Sequence, residues 1–239
     1  MIRTKKLIYI LTAGLFLMGT GCKKYLDVNK NLNDPTAVPV STLLTEAEVQ
    51  IGNAMAMSSG LSGGLSVYMH QACTRGNADG YGIKGDNFTV ENAWALFYGA
   101  ITDLDVIISQ GTAEGRFKYV GMAKILKAYA FSIMVDTWGD IPFSEFNKFQ
   151  TGVKQPKFDD DAAIYPQLLA MLDAGKDDIN NTAVNPTVPA GDDLVYGGNT
   201  ARWIKAANTI KLKMYTQIRK VQNVTPQVTA LLAAPASLI

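Results

Sequence analysis

Cys22 is the first residue whose surroundings specify a chemistry. Arg3, Lys5 and Lys6 open the chain, Leu7 to Met18 is almost wholly apolar, and Gly19-Thr20-Gly21 leads into the cysteine. A basic start, a short apolar run and small residues before a cut describe a secretory signal. The run is too short to span a bilayer, which needs ~20 residues. A thiol directly behind the small residues is where a bacterial lipoprotein is cleaved and lipidated. Residues 1–21 therefore read as a signal peptide and Cys22 as a lipidated N-terminus, diacylated and N-acylated or otherwise lipidated. Gly19 stands where such signals usually carry Leu or Val. The plain alternative is a secretory signal followed by an incidental cysteine.

The second candidate is the segment QACTRGNADGYGIKGDNFTVEN, residues 71–92. Arg75, Asn77 and Asn87 can hydrogen-bond vicinal hydroxyls, while Tyr81 or Phe88 stacks on an apolar ring face. Loops positioned by a rigid scaffold often carry binding. These five residues are the expected ligand contacts. The plain alternative is an exposed structural loop.

Other chemistry-bearing residues have simpler readings. Asp103/Asp105, Asp136/Asp140 and Asp159–Asp161 are the carboxylate sets a glycosidase would need. Asp159–Asp161 precede a helix and read as its cap. Asp140 lies in a Gly-Asp-Ile-Pro turn, where Asp satisfies backbone amides. Asp103 and Asp105, two apart on a helix, do not face one another. No acid, base and pocket combine, so no enzyme is expected. DVNKNLND (27–34) has the oxygen side chains of a calcium loop, but Leu32 and Val38 stand where the EF-hand needs Gly and Glu, so no metal is expected. Trp94 and Trp203 fall on apolar stripes and read as core, while Trp138 ends a helix and is open to either a core or a platform role. His70 is the only histidine, which excludes a His-based metal site, and reads as structural. Cys73, without a partner once Cys22 is lipidated, reads as a small buried hydrophobe.

Composition narrows the classes further. The whole chain carries 22 basic and 21 acidic residues. Loss of the signal's three cations tips the balance to acid, so there is no basic footprint for nucleic acid. Hydrophobic residues are 48% of the chain, enough for a core and too many for disorder.

The elements that must hold these residues read as helices. Residues 23–40 are polar, Asn-rich and end in prolines, so residues 22–40 read as a tether. STLLTEAEVQIGNAMAM (41–57) is a first helix, capped by Ser41 or Thr42. Residues 58–88 are Gly-rich and lose periodicity. Trp94, Phe97, Tyr98, Ile101, Leu104 and Ile108 follow a helical stripe punctuated by Gly111 and Gly115. Residues 117–137 are apolar on two sides, which places that helix at the centre of a stack. Helices at 162–179 and from Asn199 or Thr200 onward follow, the last with Lys205, Lys211, Lys213, Arg219 and Lys220 on a solvent face. Residues 175–198 read as an exposed connection. No strand-rich segment is expected.

The order of motifs resembles one family. Cys22-Lys23-Lys24-Tyr25-Leu26-Asp27 and the following DVNKNLNDPT are similar to the start of SusD/RagB-type outer-membrane lipoproteins of the SusD-like subgroup. WALFYGAITDLDVIIS (94–109) resembles that family's Trp-initiated helix. GMAKILKAYAFSIMVDTWGDIPFSE (121–145) resembles its Ala-Lys/Arg-Ala-Tyr helix and Gly-Asp-Ile/Val-Pro turn. TARWIKAANTIKLKMYTQI (200–218) resembles its Trp-Lys-x-Ala-Asn helix, with Lys213 near a position often held by Arg.

The resemblance implies an all-α, tetratricopeptide-like scaffold with long irregular loops. It implies a non-enzymatic, cofactor-free nutrient-binding lipoprotein of the outer membrane, anchored by lipid and exposed at the cell surface. Such a protein hands an oligosaccharide or a peptide ligand to a TonB-dependent outer-membrane transporter of the SusC-like kind. A helical scaffold lipoprotein that binds only protein is the second reading. Family members are usually much longer, so residues 41–239 are expected to be a helical domain incomplete at its C-terminus.

Overall fold

The computed structural model describes residues 38–57, 60–73, 88–182 and 187–239. Pro39–Ile239 form one compact unit. Among the described residues there are seven α-helices and no strand, only an isolated bridge between Ile141 and Asp159. The expected all-α, tetratricopeptide-like scaffold is what forms.

Helix α1 (Val40–Ala54) buries Val40, Leu44, Ala47, Glu48, Ile51 and Ala54 on one face. Its cap differs from expectation. Ser41 and Thr42 lie inside the first turn, and Pro39 takes the cap position with no side-chain cap bond. The Pro39 carbonyl instead accepts from Thr42 N and Leu43 N, at 3.0 and 3.2 Å. The expected aperiodic stretch also contains a short helix, α2 (Leu61–Tyr68), which buries only Leu61. One apolar anchor in eight residues produces no stripe for sequence periodicity to detect.

Helix α3 (Phe88–Ala113) buries Ala93, Phe97, Ala100, Ile101, Leu104 and Ile107. Gly111 lies inside it rather than at its end, and Gly115 (φ 71°) makes the turn. Helix α4 (Phe117–Trp138) is buried on nearly every side, from Tyr119 to Val135. It packs between α3 and α5, with α1 and α6 also touching it. The two-sided apolarity of its sequence is thereby explained.

Helix α5 (Asp161–Asn180) begins at Asp160, whose carboxylate accepts from Ala163 N at 3.1 Å. Its far end receives the Lys118 ammonium on the Ile179 carbonyl at 3.2 Å, a cation placed where the helix dipole favours one. Asp159 does not share the capping role expected of it. It accepts from Phe143 N and Ser144 N at 3.2 and 2.6 Å and from Ser144 Oγ at 2.8 Å, closing the turn after α4.

Helix α6 (Thr200–Ile218) starts at Asn199, which accepts from Arg202 N at 3.1 Å. One cation expected on its solvent face, Lys211, is instead largely buried and pairs with Asp173 at 2.7 Å, while Lys213 stays exposed and pairs with Asp136 at 2.7 Å. Helix α7 (Thr225–Leu232) follows. Among the described residues no helix is long and apolar enough to cross a membrane.

Candidate functional site

Cys22, Arg75, Asn77, Tyr81 and Asn87 lie outside the described residues. Phe88 is the first residue of α3. The described flanks of that segment are informative. His70 closes α2 with a left-handed backbone (φ 59°), its amide on the Val67 carbonyl at 3.0 Å. Cys73 is exposed, which corrects the buried reading. The short helix before it has too little core to cover a thiol.

Immediately downstream, α3 carries an aromatic cluster. Trp94 and Trp138 are half-buried and meet edge to face, centroids 5.1 Å apart. Tyr98 packs against Trp94 at 5.0 Å and Phe146 at 4.6 Å, and its hydroxyl donates to the Pro142 carbonyl at 2.8 Å. The Gly-Asp-Ile-Pro turn is thus tied to α3 by Tyr98. Trp94 and Trp138 keep part of their surface open, as aromatic groups with both core and contact roles do. Trp203 is core, 2% exposed.

The carboxylate sets are held by structural partners. Asp103 accepts from Gln50 at 3.3 Å, Asp105 from Lys127, and Asp136 from Tyr165 and Lys213. Asp140 accepts from the Asp161 amide at 3.1 Å. Asp140, Asp160 and Asp161 come together at the exposed start of α5, where capping accounts for them.

A second site was not foreseen in the sequence. The turn before α6 brings Asp192 and Asp193 onto α1 and α4. Asp193 is 2% exposed and accepts from Trp203 Nε1 at 2.7 Å, Gly198 N at 2.8 Å, Val195 N at 2.9 Å and Tyr196 N at 3.0 Å. Burial alone would raise its carboxyl, but the indole and the three amides outweigh it and hold the group below the usual range. Asp192 accepts from Tyr119 OH at 2.7 Å, and its carbonyl accepts from Thr45 Oγ1 at 2.8 Å.

Glu48 faces this turn, 7% exposed, with Leu194 N donating to its Oε2 at 2.7 Å. No donor from another described residue reaches Oε1. Burial, with Asp193 and Asp192 close by, pushes Glu48 up to about 8. Two adjacent carboxyls then need one proton between them, and Glu48 carries it at neutral pH. Beside this pair lies a half-open cavity of about 420 Å3, lined by α1, α4 and α6 together with Val195, Tyr196 and Ile239. The available sequence signal was an acid lying on the apolar stripe of α1, between Leu44 and Ile51. The polar composition that reads as an exposed connection over residues 175–198 gives no sign that Asp192–Tyr196 fold back onto α1 and α4.

The comparisons agree with the fold. The sequence matches, over residues 32–238, the SusD-like family described as starch-binding and associating with the outer membrane. That description is of binding, not of catalysis. No curated protein matches. A SusD/RagB family protein from Bacteroides thetaiotaomicron superposes with a TM-score of 0.71 at 20% identity, covering 85% of this chain and 43% of that one. A SusD homologue from Parabacteroides distasonis gives 0.66 at 20% identity, covering 84% and 39%. A chitin-binding SusD homologue from Flavobacterium johnsoniae gives 0.53 at 18% identity, covering 74% and 39%. At these identities the likeness is one of fold, and the chain spans less than half the length of these structures. The family match covers nearly all of the compact unit, with the helix order expected of it: the chain belongs to the SusD-like family.

Proposed function

We propose that this protein captures oligosaccharides at the outer membrane as a lipid-anchored surface subunit, and delivers them to a partner TonB-dependent transporter of the SusC-like kind. The observation that carries the reading is the family match across residues 32–238. The Cys22 signal supports the anchor, and the chitin-binding relative supports a glycan rather than a peptide as ligand. Trp94 and Trp138, with rings partly open at the start of α3 and the end of α4, are the described groups that could face a sugar. Arg75, Asn77, Tyr81, Asn87 and Phe88 are proposed to complete the contact surface from that segment.

The test is binding of starch and chitin oligosaccharides to the purified chain by calorimetry, with co-purification of a transporter from the source membrane. Saturable binding to either glycan, lost on Trp138→Ala without loss of helicity, supports the reading. Recovery of a protein partner with no glycan binding would favour the scaffold role instead.

A further inference from the structure

The nutrient-binding reading leaves the cavity between α1, α4 and α6 without a role. Its wall is largely aliphatic and aromatic, with Ile51, Leu126, Tyr129, Tyr196 and Trp203 among the lining residues. Thr209 also lines it, but its hydroxyl is already used, donating to the Lys205 carbonyl at 3.0 Å and accepting from Ile239 N at 3.0 Å. Glu48 is the one charged side chain among the described lining residues. Polar recognition therefore rests on Glu48 and on the phenols of Tyr129 and Tyr196.

Three ligand classes can be set against that wall. A neutral sugar carries a hydroxyl on almost every carbon, and too few groups here could pair with them; each unpaired hydroxyl would lose its water for nothing. An anion would meet the Glu48–Asp193 carboxyl pair, with no basic side chain among the described lining residues to receive it. An ammonium group on an apolar body matches every feature. Its N–H donates to Glu48, whose Oε1 has no donor from another described residue, its charge offsets the carboxyl pair, and the tyrosine rings can face the cation. Its hydrocarbon part fills the aliphatic wall. Desolvating an ammonium is costly unless a carboxylate meets it directly, and Glu48 supplies that partner.

We propose that this cavity is a binding site for a small organic cation, with a primary ammonium head set against Glu48 and a ring or short alkyl chain between α1, α4 and α6. In the empty protein, burial and the neighbouring Asp193 keep a proton on Glu48 at neutral pH. The ammonium takes over as donor and that proton leaves to solvent. The titratable groups around Glu48 are Asp192, Asp193 and Tyr196 on the turn and Tyr119 and Tyr129 on α4. None of the described lining residues belongs to the 71–92 segment, and the proposal does not depend on the glycan reading.

Three probes of similar size decide it: benzylammonium, benzyl alcohol and benzoate, titrated into the purified chain by calorimetry at pH 7. Benzylammonium is expected to bind at least tenfold more tightly than benzyl alcohol, and benzoate not at all. Glu48→Gln keeps an acceptor for Leu194 N and should weaken benzylammonium at least tenfold while leaving benzyl alcohol unchanged. If that variant does not fold, Gly52→Phe serves. Gly52 lines the cavity, and a Cβ there meets nothing within 4 Å, so a ring can fill the space and abolish binding of both probes. Equal affinity for alcohol and ammonium, no binding of ammonium at millimolar concentration, or full binding by the Gly52→Phe variant would each overturn the proposal. Displacement of benzylammonium by a neutral chitin or starch oligosaccharide would overturn it too, by assigning the cavity to sugar.

Discussion

Gly121 on α4 and Gly175 on α5 let the two helices touch backbone to backbone. A methyl group added at Gly121 would lie 2.5 Å from the Gly175 carbonyl oxygen and 2.6 Å from an Ile179 side-chain carbon. A backbone atom cannot rotate away, so the helices would have to part. Gly121→Ala should destabilise the fold by ~1–3 kcal/mol, the usual cost of overpacking. Thermal unfolding would show a lowered midpoint with helicity kept below it. An unchanged midpoint would mean that α4 and α5 are not packed this closely.

The Glu48 carboxyl makes stability depend on pH. Its ordinary value of 4.5 applies to the unfolded chain, and burial raises it to about 8 in the fold. Between these values the folded state holds a proton that the unfolded state has released. This contribution is therefore complete below pH 4.5 and is lost as pH rises towards 8, with a slope of at most about 1.4 kcal/mol per pH unit. Urea denaturation at a series of pH values should show the decline, and Glu48→Gln should flatten it. A parallel decline in the variant would assign the effect to other groups.

Trp203→Phe removes one of the four donors to Asp193 while keeping most of the aromatic volume. A buried carboxylate short of a donor costs ~1–3 kcal/mol. The variant should lose stability by that order in urea, and lose more at pH 7 than at pH 3, where the carboxyl can protonate. Equal loss at both values would point to packing alone.

In the 71–92 segment, Tyr81→Ala should weaken glycan binding by ~1 kcal/mol or more if the ring stacks on sugar. Calorimetry measures the affinity and a thermal scan the fold. If the segment is the exposed loop its sequence suggests, the melting temperature should barely move. A sharp drop in melting temperature with affinity intact would make Tyr81 a core residue.

Cys22→Ala should release the protein from membranes to the soluble fraction, because the acyl chains are its proposed hold on the bilayer. Persistence in detergent-extracted membrane would mean that something other than lipid retains it.

Local signals in the sequence determined the helices. Period-3.6 stripes placed α4 and α6 to within a few residues, and α3 from Trp94 onward but not its first turns from Phe88, because burying one helix face needs only nearby side chains of the right type. Asn199 and the acids before α5 marked helix starts for the same reason, since a cap bonds amides two or three residues away. Cap identity at α1 and the helix at Leu61–Tyr68 were not legible, because neither leaves a distinctive local pattern. The Glu48–Asp193 pair and its cavity were decided only by tertiary structure. Leu194 reaches Glu48 across 146 positions of sequence, and nothing local in a polar Asn- and Asp-rich connection says that it folds back onto α1. Burial of those carboxyls, and so their proton and their ligand chemistry, exists only once α1, α4 and α6 close around them.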